Sequence, residues 1–240
     1  MDLPLLQRLN QERAARRGCI LITTIASGAQ RLVEEDTDLS ADPLAEELST
    51  RFRSGKSGMV VGADGAQVFL NVHVPPPRLV VIGAVHISQA LALIAKIAGF
   101  DMAVIDPRTA FASPERFPDV PLHADWPEEI IPQTVPLDRY TALAAVTHDP
   151  KIDDYPLMKA LAARCFYVGA LGSRKTHAAR VARLAKAGVS QADIDRIRAP
   201  IGLNIGAASP AEIAIAIMAE VIDALRKGET TPAPVHEGVA

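Results

Sequence analysis

The chain has 240 residues, of which 49% are apolar and 22% charged. At about 150 residues per domain, that length is one large domain or a domain with a smaller companion. The composition is that of a globular core, which excludes an intrinsically disordered chain. The formal net charge of -3, from 25 basic and 28 acidic residues, lacks the basic excess with which a non-specific nucleic-acid binder displaces counterions. No nucleic-acid partner is therefore expected. Two cysteines, Cys19 and Cys165, are too few for a disulfide scaffold, and no CxxC pair offers a zinc site. No apolar run approaches the roughly 18 residues of a membrane span. The first residues lack the basic and apolar regions of a signal peptide, so a cytoplasmic location is expected.

Three prolines at 75–77 divide the chain, because they donate no ladder hydrogen bonds and hold the backbone extended. Residues 1–74 read as a small α+β domain. A helix is predicted over 3–16, strands over 19–26 and 29–34, and a helix over 43–52 with Asp42 as N-cap and Pro43 at its first position. Two strands over 57–61 and 67–74 flank Asp64-Gly65, a hairpin dipeptide. Residues 75–228 read as an α/β domain with a Rossmann-like, doubly wound parallel sheet. The strand at 79–83 is wholly apolar, as expected of a parallel strand covered on both faces. A helix follows over 86–98, with Ile87, Leu91 and Ile94 at helical spacing and Gly99 as its stop. Further strands are predicted at 102–105, 141–146 and 166–168. Helices are predicted at 155–163, 174–187 and 191–197. The last helix, 210–226, opens on Ser209-Pro210-Ala211-Glu212, a capping box with a first-turn proline. Residues 229–240 lack periodicity and are expected to be a disordered tail.

Three turns carry the chemistry. Gly83, Ala84 and His86 link the first apolar strand to its helix, and Asp106 ends the next strand, with Arg108 beside it. In dinucleotide sites a glycine turn lets a pyrophosphate approach a helix N-terminus, and an acidic residue about 20 positions on takes the ribose hydroxyls. Val85 stands where a second glycine is usual, and its side chain is expected to obstruct a phosphate. The bland alternative is that Gly83 only permits a tight turn. The second turn, from Gly169 through Gly172, Ser173, Arg174 and Lys175, also joins a strand to a helix. Cations in a first helical turn oppose the helix dipole unless an anion sits there. Otherwise both side chains simply reach into solvent. The third turn places His148 and Asp149 at the carboxyl end of a strand, where open α/β sheets bind ligands. Asp149 alternatively forms an Asx-turn before Pro150 while Asp153 or Asp154 caps the next helix. No helical HxxxH or HxxE spacing supports a metal there, and none is expected. No Ser-His-Asp or Cys-His arrangement suggests a catalytic residue.

Five stretches together resemble one family: 81–91 (VIGAVHISQAL), 104–118 (VIDPRTAFASPERFP), 147–154 (THDPKIDD), 167–177 (YVGALGSRKTH) and 199–213 (APIGLNIGAASPAEI). In order and without a large gap, they look like the C-terminal Rossmann half of the XdhC/CoxI/CoxF family. The resemblance implies an accessory protein that helps mature a molybdenum hydroxylase such as xanthine dehydrogenase or carbon monoxide dehydrogenase. It implies a molybdopterin dinucleotide as cofactor, with FAD or NAD(P) as the alternative for an oxidoreductase. An interaction module with a vestigial nucleotide pocket is the third reading. The implied partners are the hydroxylase apoenzyme, a cysteine desulfurase where sulfuration is involved, and a second copy of the chain. Longer members carry an SGGC-type motif, where this chain has only 54–58 (SGKSG). That shortage favours cofactor binding and delivery over sulfur chemistry. Cys19 and Cys165 read as small buried hydrophobes.

Overall fold

The computed structural model describes residues 2–63 and 65–228. The predicted disordered tail and Asp64 of the hairpin dipeptide lie outside those residues. The chain divides into two compact units between Pro75 and Pro76.

In the first unit, α1 (Leu3–Ala14) is capped by Asp2, whose carboxylate accepts the Leu5 amide at 2.9 Å. Strands β1 (Cys19–Thr24), β2 (Gln30–Glu34), β3 (Gly58–Val61) and β4 (Gln67–His73) form an antiparallel sheet in the order β2-β1-β4-β3. Ile20, Ile22, Val68 and Leu70 from this sheet meet Leu48 and Phe52 of α2 (Ala45–Ser54) in one core. That helix begins later than its sequence suggests. Arg31 binds both Asp42 oxygens, at 2.6 and 2.9 Å, and Asp42 also accepts the Leu44 amide. The expected capping residue is thus engaged by an ion pair, and Leu44 takes the N-cap position without a side-chain bond.

The second unit is a six-stranded sheet, parallel throughout. Its strands are β5 (Arg78–Ile82), β6 (Asp101–Ile105), β7 (Leu122–His123), β8 (Thr141–Ala145), β9 (Tyr167–Ala170) and β10 (Ile197–Arg198). Their spatial order is β10-β9-β8-β5-β6-β7, so the chain winds one way from β5 and the other way from β8. This is the doubly wound Rossmann order, with its reversal between β5 and β8. Alternate residues of each strand enter opposite cores. Leu79 and Val81 meet α3 (His86–Ala98) and α8 (Pro210–Lys227), while Val80 and Ile82 meet α4 (Pro127–Gln133), α5 (Pro150–Ala162) and α6 (Arg174–Lys186). Each fully buried Leu or Ile contributes about 1.5–3 kcal/mol through removal from water.

Several elements depart from the sequence reading. Helix α5 starts at Pro150 rather than Tyr155, because Asp149 caps it and a first-turn proline needs no donor. Pro156 sits inside the helix. The helix expected over 191–197 stops at Ile194 as α7 (Gln191–Ile194), and Ile197 instead pairs with Val168 as an edge strand. Strand β7 and helix α4 have no sequence forecast. Both cysteines are buried, and burial pushes the thiols up, to about 11 for Cys19 and about 12 for Cys165. They stay protonated and unreactive at neutral pH.

A buried polar junction ties the far edge of the sheet to α8. Tyr167 Oη donates to Glu220 Oε2 at 2.7 Å, and the same oxygen accepts the Gly202 amide at 2.8 Å. Gly169 has no Cβ because one would lie 2.5 Å from Tyr167 Oη and 2.7 Å from Ile201. Replacing Tyr167 with Phe is expected to lower stability by about 1–2 kcal/mol, since a half-buried carboxylate loses a donor. Urea denaturation of the Tyr167→Phe variant against the parent measures it.

Candidate functional site

Gly83 follows β5 at the reversal point with φ +117, a backbone conformation that side chains rarely adopt. A Cβ there would also stand 2.8 Å from Thr147 Cγ2 of the neighbouring turn after β8. Glycine is therefore required twice, by the backbone and by the neighbour. The next amide, of Ala84, donates to Asp106 Oδ2 at 2.8 Å, and Ser88 Oγ donates to the Gly83 carbonyl. Arg116 Nη1 donates to the Ala84 carbonyl at 2.8 Å, and its Nη2 reaches Gln89 Oε1. The turn is thus held from three directions.

Asp106 lies in the place expected of a ribose-binding carboxylate, yet it is fully buried. Oδ1 accepts the Arg108 amide and Nε, both at 2.9 Å, while Oδ2 accepts Ala84 N and Arg108 Nη2, both at 2.8 Å. Burial alone would raise this carboxyl, but the Arg108 guanidinium and the two amides together hold it below its ordinary value. With four donors on two oxygens, its lone pairs are fully used. Asp106 therefore shapes the turn and orients Arg108, and the ribose role expected of it does not fit this geometry. Arg108 keeps its side chain 32% exposed, with its guanidinium carbon 4.6 Å from the Phe111 ring centre. Val85 has an extended backbone, which any residue adopts, and its half-buried side chain packs against the α3–α8 core.

The turn after β8 is built on a second buried carboxylate. Asp153, 1% exposed, accepts Thr147 Oγ1 at 2.7 Å and the His148 amide at 3.1 Å. Thr147 Oγ1 in turn accepts the Asp149 amide at 3.0 Å. These bonds hold exposed His148 at φ +67. Asp149 accepts the Lys151 amide and caps α5, the alternative role its sequence position allowed. Among the described residues, no group of three His, Cys, Asp or Glu side chains is placed to hold a metal. Burial pushes Asp153 up to about 6, against the opposing pull of Thr147, the Arg180 charge and the local amides.

The third turn opens α6. Gly172 has φ +132, and Ser173 Oγ accepts the Thr176 amide at 3.2 Å. Arg174 and Lys175 are exposed, and the first turn contains no acidic residue. Below them Arg180 is only 2% exposed, and its Nη2 donates to the Leu171 carbonyl at 2.9 Å. Its Nε and Nη1 are buried with no hydrogen-bond partner. Arg183 binds Asp154 through two bonds of 2.6 and 3.0 Å and joins α6 to α5. The α6 N-terminus thus gathers two free cations, a buried guanidinium and the positive end of a helix dipole.

Of the residues singled out from sequence, Gly83, Ala84, His86, Arg108, His148, Asp149, Gly172, Ser173, Arg174 and Lys175 lie on the turns at the carboxyl ends of β5, β6, β8 and β9. Gly169 lies inside β9 instead, where its open side receives Ile201. Asp153, offered as an alternative cap of the next helix, instead lies inside α5 and accepts Thr147. Sequence reading missed Arg116, Thr147 and Arg180, whose partners are distant in the chain or lie inside helices.

Gly83→Ala is expected to lower the melting temperature by several degrees, because strain and the Thr147 contact together cost about 1–3 kcal/mol. Asp153 binds a proton more tightly folded than unfolded, where an aspartate titrates near about 4. Its contribution to stability is full below about 4 and is lost as pH rises through about 6. Stability of the parent should therefore fall between those pH values by on the order of 2–3 kcal/mol relative to Asp153→Asn, measured by denaturation at each pH.

A family model described as the XdhC Rossmann domain matches residues 79–221. The chain is 34% identical over 213 residues to the uncharacterised Escherichia coli protein YqeB, covering 84% of this chain and 38% of that protein. That coverage exceeds the Rossmann unit and includes part of the N-terminal unit. The Escherichia coli molybdenum cofactor insertion chaperone PaoD is 31% identical over 147 residues, covering 61% of this chain and 40% of PaoD. A Bacillus subtilis protein described as a probable subunit of xanthine dehydrogenase is 31% identical over 156 residues, covering 64% of this chain and 44% of that protein. The chain therefore spans less than half the length of these curated relatives. A crystal structure described as a xanthine dehydrogenase from Bacillus halodurans superposes with a TM-score of 0.60 at 23% identity, over 97% of this chain and 68% of that one, and shows the same fold. With the Rossmann order, the glycine turn at its reversal point and the family match over most of the second unit, the chain belongs to the XdhC family.

Proposed function

We propose that this protein is an accessory factor for the maturation of a xanthine dehydrogenase-type molybdenum hydroxylase. It binds a molybdopterin dinucleotide and hands it to the apoenzyme. The observation that carries this reading is the Gly83–His86 turn at the sheet's reversal point, with the cationic N-terminus of α6 on the same carboxyl edge after β9. The relatives named as a molybdenum cofactor insertion chaperone and as part of a xanthine dehydrogenase point to the same ligand class.

In this reading the His86 amide, at the start of α3 and without an intrahelical acceptor, meets the pyrophosphate, while Gly83 and Ala84, whose own amides are bonded to the Ile105 carbonyl and Asp106, shape the turn beside it. Arg108, held rigid by Asp106, supplies a cation at the ribose side. His148 and Asp149 border the crevice, and Gly172, Ser173, Arg174 and Lys175 receive a second anionic group. Nothing in this set activates a nucleophile or positions a proton for transfer. Charge and hydrogen bonds suffice for holding and release. A ligand held chiefly by exposed cations leaves readily when a partner offers better contacts, which suits delivery to an apoenzyme. A second copy of the chain and a cysteine desulfurase remain candidate partners within this reading, with the cytoplasm as its setting.

The test is titration with molybdopterin cytosine dinucleotide. The expected result is binding that weakens at least tenfold in an Arg174→Ala/Lys175→Ala variant and weakens further with added salt. That tenfold change corresponds to about 1.4 kcal/mol. Equal binding by parent and variant overturns the placement of the site, and absence of binding by the parent overturns the function.

A further inference from the structure

The N-terminal sheet ends on two edge strands, β2 and β3, and the two edges differ. An edge presents unpaired N–H and C=O groups that another strand can match, and proteins guard such edges with charges, prolines, bulges or very short strands. β2 is guarded, since Arg31 binds Asp42 and Glu34 binds Arg8 along it. In the Rossmann sheet the edge strands β7 and β10 are only two residues each. β3 is longer and has no such guard. Residues 57–62 (SGMVVG) contain neither a charge nor a proline.

The register shows which groups of β3 face outward. Met59 lies opposite Phe69, Val60 opposite Val68 and Val61 opposite Gln67 of β4. One step further, the Gly62 amide donates to the Ala66 carbonyl at 2.8 Å. Hydrogen-bonded and non-bonded pairs alternate along an antiparallel ladder. Val60 therefore bonds to Val68, while the N–H and C=O of Met59 and Val61 point away from β4 to the open side. The far side of β4 agrees with this phase. The Gln67 carbonyl accepts the Ile25 amide at 2.9 Å, so the main chain of Gln67 turns toward the end of β1 and not toward Val61. The side chains along this edge are apolar and uncovered, with Phe69 36%, Met59 49% and Val61 68% exposed.

These outward groups match themselves. About a twofold axis through Val60, Met59 lies opposite Val61 of the partner subunit, and Val61 lies opposite the partner's Met59. Both members of each pair face outward, so each pair exchanges N–H···O bonds in both directions. On one face Phe69, Met59 and the partner's Val61 form an apolar row. On the other, Val60 meets the partner's Val60 beside the core that holds Val68. We propose that two copies of the chain pair through β3, antiparallel and in this register, so that the order β2-β1-β4-β3 continues into the same order reversed. A second copy is the occupant this edge specifies, because its strand carries the same outward groups at the same spacing. The contact is short. It falls below the total burial of about 1,600 Å² of a standard stable interface, so the dimer dissociates on dilution. The inference does not rest on the function proposed above, whose cofactor site lies wholly within the Rossmann unit.

Sedimentation equilibrium of the full chain, over a series from micromolar to near-millimolar protein, reads the association. The expected result is a mass that rises from one chain toward two. Met59→Pro removes an outward N–H without touching the ladder to β4, at the kind of edge position that tolerates proline. Val61→Lys places a charge on the edge. Each should weaken association at least tenfold, while Ile97→Lys, on the exposed face of α3, leaves it within twofold. Deuterium exchange reads the same contact locally, and protection of the Val61 amide should grow with concentration in the parent and not in Met59→Pro. Circular dichroism establishes that each variant is folded, and Val61→Lys decides alone if the proline variant is not. A parent that stays monomeric throughout the series overturns the inference. So does association unchanged in the folded edge variants, association lost in Ile97→Lys alone, or a dimer without added protection at Val61.

Discussion

The first turn at the carboxyl edge of the sheet depends on one buried carboxylate. Asp106 carries its charge out of water and receives four donors in return, one from the glycine turn and three from Arg108. Breaking such a pair by removing one partner typically costs about 3–5 kcal/mol, because the other charge is left buried. The carboxylate thus works as a clamp. It fixes the Ala84 amide on one side and an exposed guanidinium on the other, so the shape of the first turn and the direction of its nearest cation are set by the same atoms. In an ordinary dinucleotide enzyme the residue at this place faces the ribose. Here the same position has turned inward, and a cation faces outward in its stead.

The turn after β8 repeats the device with a different balance. Asp153 is also closed off from solvent and lies deeper in the protein, and its two bonds come from a hydroxyl and an amide rather than from a guanidinium. Its charged form is accordingly disfavoured where that of Asp106 is favoured. Depth and the lack of a directly bonded cation both set the contrast. Arg180 stands within electrostatic range of Asp153 without forming a direct bond to it. It supports the Leu171 carbonyl and so fixes the start of α6 from beneath, while Arg174 and Lys175 remain on the surface.

The sequence was most legible where structure is local. The apolar runs of β5 and β8 announce strands covered on both faces, and Ser209 with Glu212 marks the start of α8 through bonds made within four residues. Gly83 and Gly172 were legible because a backbone conformation belongs to one residue. The two-residue strands β7 and β10 have no period to detect, and the proline-rich stretch that precedes β8 hides α4. The inward turn of Asp106 was equally hidden. Its spacing from Gly83 is that of a ribose-binding residue, and only its position relative to Arg108 reveals a different occupation. The junction beside α8 depends on Gly202, Glu220 and Tyr167, which are far apart in the chain, so no local pattern could mark it.

The reversal of winding at β5 also bears on how the chain reaches this structure. β5 is the first strand of its unit in sequence and an inner strand in space, pairing Leu79 with both Met102 and Ala142. During synthesis it emerges with one hydrogen-bonding edge that stays unpaired until β8 has followed. Non-local pairing of this kind slows folding, because the intervening loop must close before its contacts repay the lost entropy. The order of strands that creates a crevice for a ligand therefore also creates an interval in which the centre of the sheet is open to wrong partners.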